Sequence, residues 1–121
     1  MTIKKIANNA RTIEERDEII VLSYYLVSGE ITVSYEGEEL ILPSYGIEVM
    51  SETYRNGKKV DEGRERYENI SPYCERVVEL INHFADMFLS PVHLIDIMEE
   101  RIEEYIEDFD RVIQKISRMA I

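Results

Sequence analysis

The stretch Tyr45-Gly46-Ile47-Glu48-Val49-Met50-Ser51-Glu52-Thr53-Tyr54-Arg55-Asn56-Gly57-Lys58-Lys59-Val60 decides the fold class. Tyr45, Ile47 and Val49 point one way and Gly46, Glu48 and Met50 the other, the two-residue period of a half-buried strand. Asn56-Gly57 then supplies a type I′ turn, whose two central residues both need positive φ. The chain must double back there. The returning segment from Lys58 is polar throughout (Asp61, Glu62, Arg64, Glu65, Arg66). That is the pattern of an exposed edge strand guarded by its charges.

Toward the N-terminus, Leu40-Ile41-Leu42 reads as a short strand ended by Pro43, and Glu36-Gly37-Glu38 as a turn. Ile31, Val33 and Tyr35 alternate with Thr32 and Ser34. Residues 19–27 are rich in β-branched and aromatic side chains, and Ser28-Gly29 closes them. Residues 1–18 carry four basic and four acidic side chains, so they have no charge preference. Thr12 and Glu15 have capping-box spacing, so a weakly ordered or helical lead-in is expected there. The β half, residues 19–70, is thus a meander of four to five antiparallel strands.

Toward the C-terminus, Ser71-Pro72 pairs a favoured N-cap with a favoured first helical residue. Val77, Leu80, Ile81, Phe84 and Phe88 follow at helical spacing. Ser90-Pro91 repeats the same device and opens a second helix. Along it Ile95, Met98, Ile102, Tyr105, Phe109, Val112, Ile116 and Met119 step by alternating threes and fours, a heptad seam. A continuous helix over residues 91–118 would extend roughly 42 Å at ~1.5 Å per residue. The expectation is an α+β fold in a single domain, residues 1–121, with the α half at 71–121 holding two helices, the last one long. A small sheet and a shorter helix cannot cover so long a stripe. The excess (Tyr105, Ile106, Phe109, Val112, Ile113, Ile116 and Met119) is expected to pair with a second copy in a homodimer.

Composition narrows the function classes. The 121 residues include 14 basic and 25 acidic side chains, a formal charge of −11. Nucleic acid and anionic membrane need a cationic footprint, so neither is an expected direct partner. No run reaches the ~18 apolar residues of a membrane helix, and the start lacks a signal core. A single cysteine, Cys74, excludes an internal disulfide and a cysteine zinc site. A cytoplasmic location is expected, with no cofactor and no metal.

Tyr24-Tyr25-Leu26-Val27, Tyr45-Gly46-Ile47-Glu48-Val49, Ile70-Ser71 at a helix start and Pro91-Val92-His93-Leu94-Ile95-Asp96 together resemble an uncharacterised family of small bacterial proteins, a domain of unknown function. The similarity spans residues 24–104. It implies a compact domain of strands followed by helices, and it carries no activity, ligand or catalytic residue. The chain departs from the family pattern in a longer β half and a helical extension past Tyr105.

Three sets of side chains are candidates for function. Cys74 falls in the first turn of the first helix, where the helix dipole favours a thiolate, and His93 with Asp96 opens the second. A cysteine-dependent enzyme using Cys74 and His93 is the alternative this allows, though no glycine-rich turn precedes Cys74 and a lone cysteine is most often a small buried hydrophobe. His83 and Asp86 share a helix face, but no third metal ligand is indicated. The acidic run carries the most weight. Glu99, Glu100, Glu103, Glu104, Glu107, Asp108 and Asp110 face Arg101 alone, in like-charge rows at i,i+4 that each cost an isolated helix roughly 0.2–0.5 kcal/mol per pair. Residues 111–121 reverse the sign, with Arg111, Lys115 and Arg118. The pattern reads either as a solvated face that maintains solubility or as a docking surface for a basic protein. The expected function is a non-enzymatic, homodimeric regulator or inhibitor of a basic partner such as a nucleic-acid-binding protein or a defence nuclease. A passive subunit of a larger complex is a further alternative.

Overall fold

The computed structural model describes residues 1–119; the side chain of Met119 lies outside the described residues. Four strands, β1 (Thr2–Ile13), β2 (Glu18–Tyr35), β3 (Glu38–Arg55) and β4 (Lys58–Ser71), form one antiparallel meander in the order β1-β2-β3-β4. Three helices follow: α1 (Cys74–Asp86), α2 (Pro91–Arg101) and α3 (Glu103–Met119). The α+β class stands, with four strands.

The turns obey the local chemistry. Asn56 (φ 51°) and Gly57 (φ 79°) are both left-handed, as the I′ turn requires, and Glu36 (φ 50°) and Gly37 (φ 81°) make the same turn between β2 and β3. Ser28-Gly29 and Pro43, expected to end strands, do not. They pair inside one long ladder, Gly29 opposite Ser44 and Pro43 opposite Glu30. Pro43 is tolerated because β4 has already ended at that level, with Ser71 opposite Tyr45, so one side of β3 is an open edge there.

Residues 1–18 are a strand and a turn, not a lead-in. Lys4, Ala7, Asn9 and Arg11 of β1 sit opposite Leu26, Tyr24, Leu22 and Ile20, the inward residues of β2. Of these, Ala7 is small and packs against the core beside Ile6, Lys4 is exposed, and Asn9 and Arg11 are polar and reach the end of α1 and the residues after it. The Asn9 side-chain amide donates to Ala85 O (2.9 Å), and the Arg11 guanidinium lies 4.5 Å over the Phe88 ring. An alternating apolar pattern was therefore never available to mark this strand.

One face of the sheet carries the core. Leu22, Tyr24 and Leu26 of β2 and Ile47 and Val49 of β3 pack beneath Val77, Leu80, Ile81 and Phe84 of α1 and Leu94 and Met98 of α2. Tyr24 is fully buried, and its hydroxyl donates to Leu89 O (2.8 Å). The sheet also coils, since Arg66 of β4 reaches the Met1 sulfur beside β1 (3.0 Å). Opposite Gly46, β4 bulges: Ser71 pairs with Tyr45 but Tyr67 with Ile47, and Asn69 takes a left-handed φ of 57°. A Cβ on Gly46 would lie 2.4 Å from Tyr67 O and 2.8 Å from Glu68 Cα, so only glycine fits.

The helix boundaries differ from expectation in two places. Ser71 does not cap α1; the N-cap is Tyr73, and Ser71 Oγ accepts the Tyr73 N–H (3.1 Å) from the end of β4. The expected single rod is interrupted at Ile102, giving α2 and α3. The Ile102 carbonyl accepts both the Tyr105 N–H (2.9 Å) and the Ile106 N–H (3.1 Å), a 3₁₀ tightening of the helix. Ile102 keeps right-handed helical dihedrals and α-type bonds to Met98 O and from Ile106 N–H, so Glu103 and Glu104 stay about one turn beyond Glu99 and Glu100. They also form the first turn of α3, where acidic side chains are favourable.

Candidate docking surface on the C-terminal helices

α1 lies over β1 and β2, α2 over β4, and α3 against the end of β4. This arrangement sorts the acidic run into two populations. Glu99, Glu100, Glu103, Glu104, Glu107 and Asp110 are all exposed. Only Glu107 has an ion pair among the described residues, with Arg111 at 3.4 Å. Asp108 is the exception and leaves the candidate surface, because its side chain is fully buried. Its carboxylate accepts from Ser71 Oγ (2.7 Å) and pairs with Arg76 Nε (3.0 Å) and Arg111 Nη1 (3.4 Å). Arg76 is itself held by a second bond to Glu104 O (3.0 Å) and lies 4.5 Å over the Tyr105 ring. Asp108 is thus the anchor that fixes α3 to α1 and β4.

The expected homodimer set divides as well. Tyr105 is buried in its own chain beneath Arg76, which takes it out of any intermolecular contact, and burial pushes its phenol pKa up. Ile106 is 52 % exposed. Phe109, Val112, Ile113 and Ile116 are half-buried, and none joins the core cluster. Met119 lies outside the described residues as a side chain. The uncovered stripe therefore shrinks to the distal turns of α3, because the break at Ile102 lets its first turns fold onto the chain's own body.

Among the described residues no hydrogen bond or ion pair joins the side chains of Cys74, His93 and Asp96. Cys74 is half-buried as the first residue of α1 and packs against the core. His93 and Asp96 are exposed on α2. His83 is exposed, and its Nε2 lies 3.4 Å from Arg101 Nη2. Arg101 and His83 sit in the last turns of α2 and α1, where helix dipoles favour cations. Among the described residues no group of three His, Cys, Asp or Glu side chains could hold a metal ion, and no helix is long and apolar enough to cross a membrane.

The anchor formed by Asp108, Ser71 and Arg76 escaped the sequence reading. With the geometry in place, the comparisons can be stated. The model of a family described as Family of unknown function (DUF6514) matches residues 3–104, and the chain belongs to that family. The match includes β1 and the whole sheet, so the β half is no addition, while nearly all of α3 lies beyond it. No curated protein and no solved structure matches the chain.

Proposed function

We propose that this member of the DUF6514 family is a non-enzymatic interaction module that docks a basic protein on the acidic face of α2 and α3. The partner class that fits is a nucleic-acid-binding protein, such as a defence nuclease, whose cationic groove accepts carboxylates in place of phosphates; the module then regulates or inhibits it. One observation carries the reading. Six exposed carboxylates line consecutive turns, and five of them make no ion pair among the described residues. Carboxylates needed only for stability would be paired or spread out, since like charges one turn apart destabilise a helix. Electrostatic docking raises the association rate and falls with salt.

The test is a pull-down from the native host followed by titration of the isolated partner. Reversing Glu100, Glu103, Glu104 and Glu107 to Lys is expected to weaken binding at least tenfold. Unchanged affinity of the folded variant defeats the reading.

A further inference from the structure

β2 and β3 outrun their neighbours. β1 covers β2 only as far as Ser28, and β4 covers β3 only as far as Tyr45. Beyond that level, residues 29–44 continue as a two-stranded ribbon whose outer edges pair with no further strand, although its face is partly covered, with Leu42 fully buried and Ser44 Oγ donating to Asn69 Oδ1 (2.7 Å). Such a ribbon is marginal by itself in water, and an open edge is a template for another strand.

The other open edges in the molecule are guarded. β1 carries Lys4 and Lys5 and a bulge between Lys5 and Ala7. β4 carries Lys58, Lys59, Asp61, Glu62 and Arg64, and the open part of β3 carries Glu38, Glu39 and Pro43. Charge, proline and bulges are the usual protections. The open edge of β2, Gly29-Glu30-Ile31-Thr32-Val33-Ser34-Tyr35, has one charge and none of the other devices. Its seven residues span about 23 Å at ~3.3 Å per residue.

We infer that this edge pairs antiparallel with the same edge of a second copy about a two-fold axis through Thr32, joining two sheets into one. The edge is self-complementary in that register. Thr32 meets Thr32, Ile31 meets Val33, Glu30 meets Ser34 and Gly29 meets Tyr35. Threonine pairs and β-branched pairs are favourable cross-strand neighbours, aromatic side chains compensate an edge glycine, and no like charges oppose each other. A two-fold perpendicular to the sheet also keeps the half-buried Ile31, Val33 and Tyr35 of both copies on one face. The partner is therefore a copy of this chain, and its seat is the β2 edge in place of the α3 stripe. The inference is independent of the acidic docking face.

Sedimentation of the intact chain from ~1 to ~100 µM, the range in which a micromolar complex assembles, is expected to show a concentration-dependent doubling of mass. Amide exchange at residues 29–35 is expected to slow over the same range. Thr32→Lys and Thr32→Glu, each checked for folding by circular dichroism, are each expected to stay monomeric, because the axial residue then meets a like charge. Mixing the two is expected to restore the doubled mass. A wild-type monomer throughout, exchange that ignores concentration, or a dimer that survives Thr32→Lys but not Ile113→Glu overturns the inference.

Discussion

Two buried polar residues set the stability of this fold. Burial pushes the Tyr24 phenol up to about 12, against 10 for a free tyrosine. Its proton is thus held more tightly in the folded chain than in the unfolded one. Stability from this group is complete below pH ~10 and is lost as pH rises toward ~12, by about 2–3 kcal/mol in all. Urea unfolding between pH 8 and 12 is expected to show that slope, and Tyr24→Phe to flatten it. The same change leaves Leu89 O without its donor, at about 1–2 kcal/mol at neutral pH. Asp108 behaves differently. Replacing it with Ala removes the acceptor of Ser71 Oγ and the ion-pair partner of Arg76, whose part-exposed guanidinium keeps Glu104 O, and is expected to cost about 1–3 kcal/mol, read from the urea midpoint. Neighbouring Asp110→Ala, on the exposed side, is expected to cost under ~0.5 kcal/mol.

At the scale of elements, short-range chemistry was legible and long-range cover was not. The turn at Asn56-Gly57 and the start at Pro91 follow from backbone preference alone, so they could be read directly. β1 could not, because its inward positions are Ala7, Asn9 and Arg11, which gain their partners only when α1 arrives. Asp108 was unreadable for the same reason. Its partners Ser71 and Arg76 are 37 and 32 residues away, and only the packed fold distinguishes it from the exposed carboxylates beside it. The interruption at Ile102 was not legible: the like-charge rows were visible, but nothing in them marks where the hydrogen-bond ladder tightens. This leads to an asymmetric prediction. Neutralising Glu99 and Glu100 to Gln removes two repulsive pairs and is expected to stabilise the chain by up to ~1 kcal/mol. Neutralising Glu103 and Glu104 removes these pairs and the Glu103–Glu107 and Glu104–Asp108 pairs as well, but gives up the acids of the first turn of α3, so the two effects oppose each other and no larger gain is expected. Paired urea titrations of the two double variants measure the difference. Gly46→Ala, at the bulge, is expected to cost about 2–3 kcal/mol, since the clash is with backbone and no side chain can move aside.

For the molecule as a whole, the charge of −11 makes two predictions of opposite sign in salt. Self-repulsion of so acidic a chain opposes compactness, and it is screened as the Debye length falls from ~30 Å at 0.01 M to ~8 Å at 0.15 M. The isolated protein is therefore expected to melt at higher temperature at the higher ionic strength. Docking of a basic partner on α2 and α3 depends on the same field acting between two molecules, so its affinity is expected to fall over the same range, chiefly through a slower association rate. A face that serves solubility alone shares the first response and lacks the second. Thermal melts and stopped-flow association at the two ionic strengths separate the cases. An association rate that does not change with salt leaves the exposed carboxylates as a solvated surface and removes the electrostatic basis of the docking reading, while the buried anchor at Asp108 stands in either outcome.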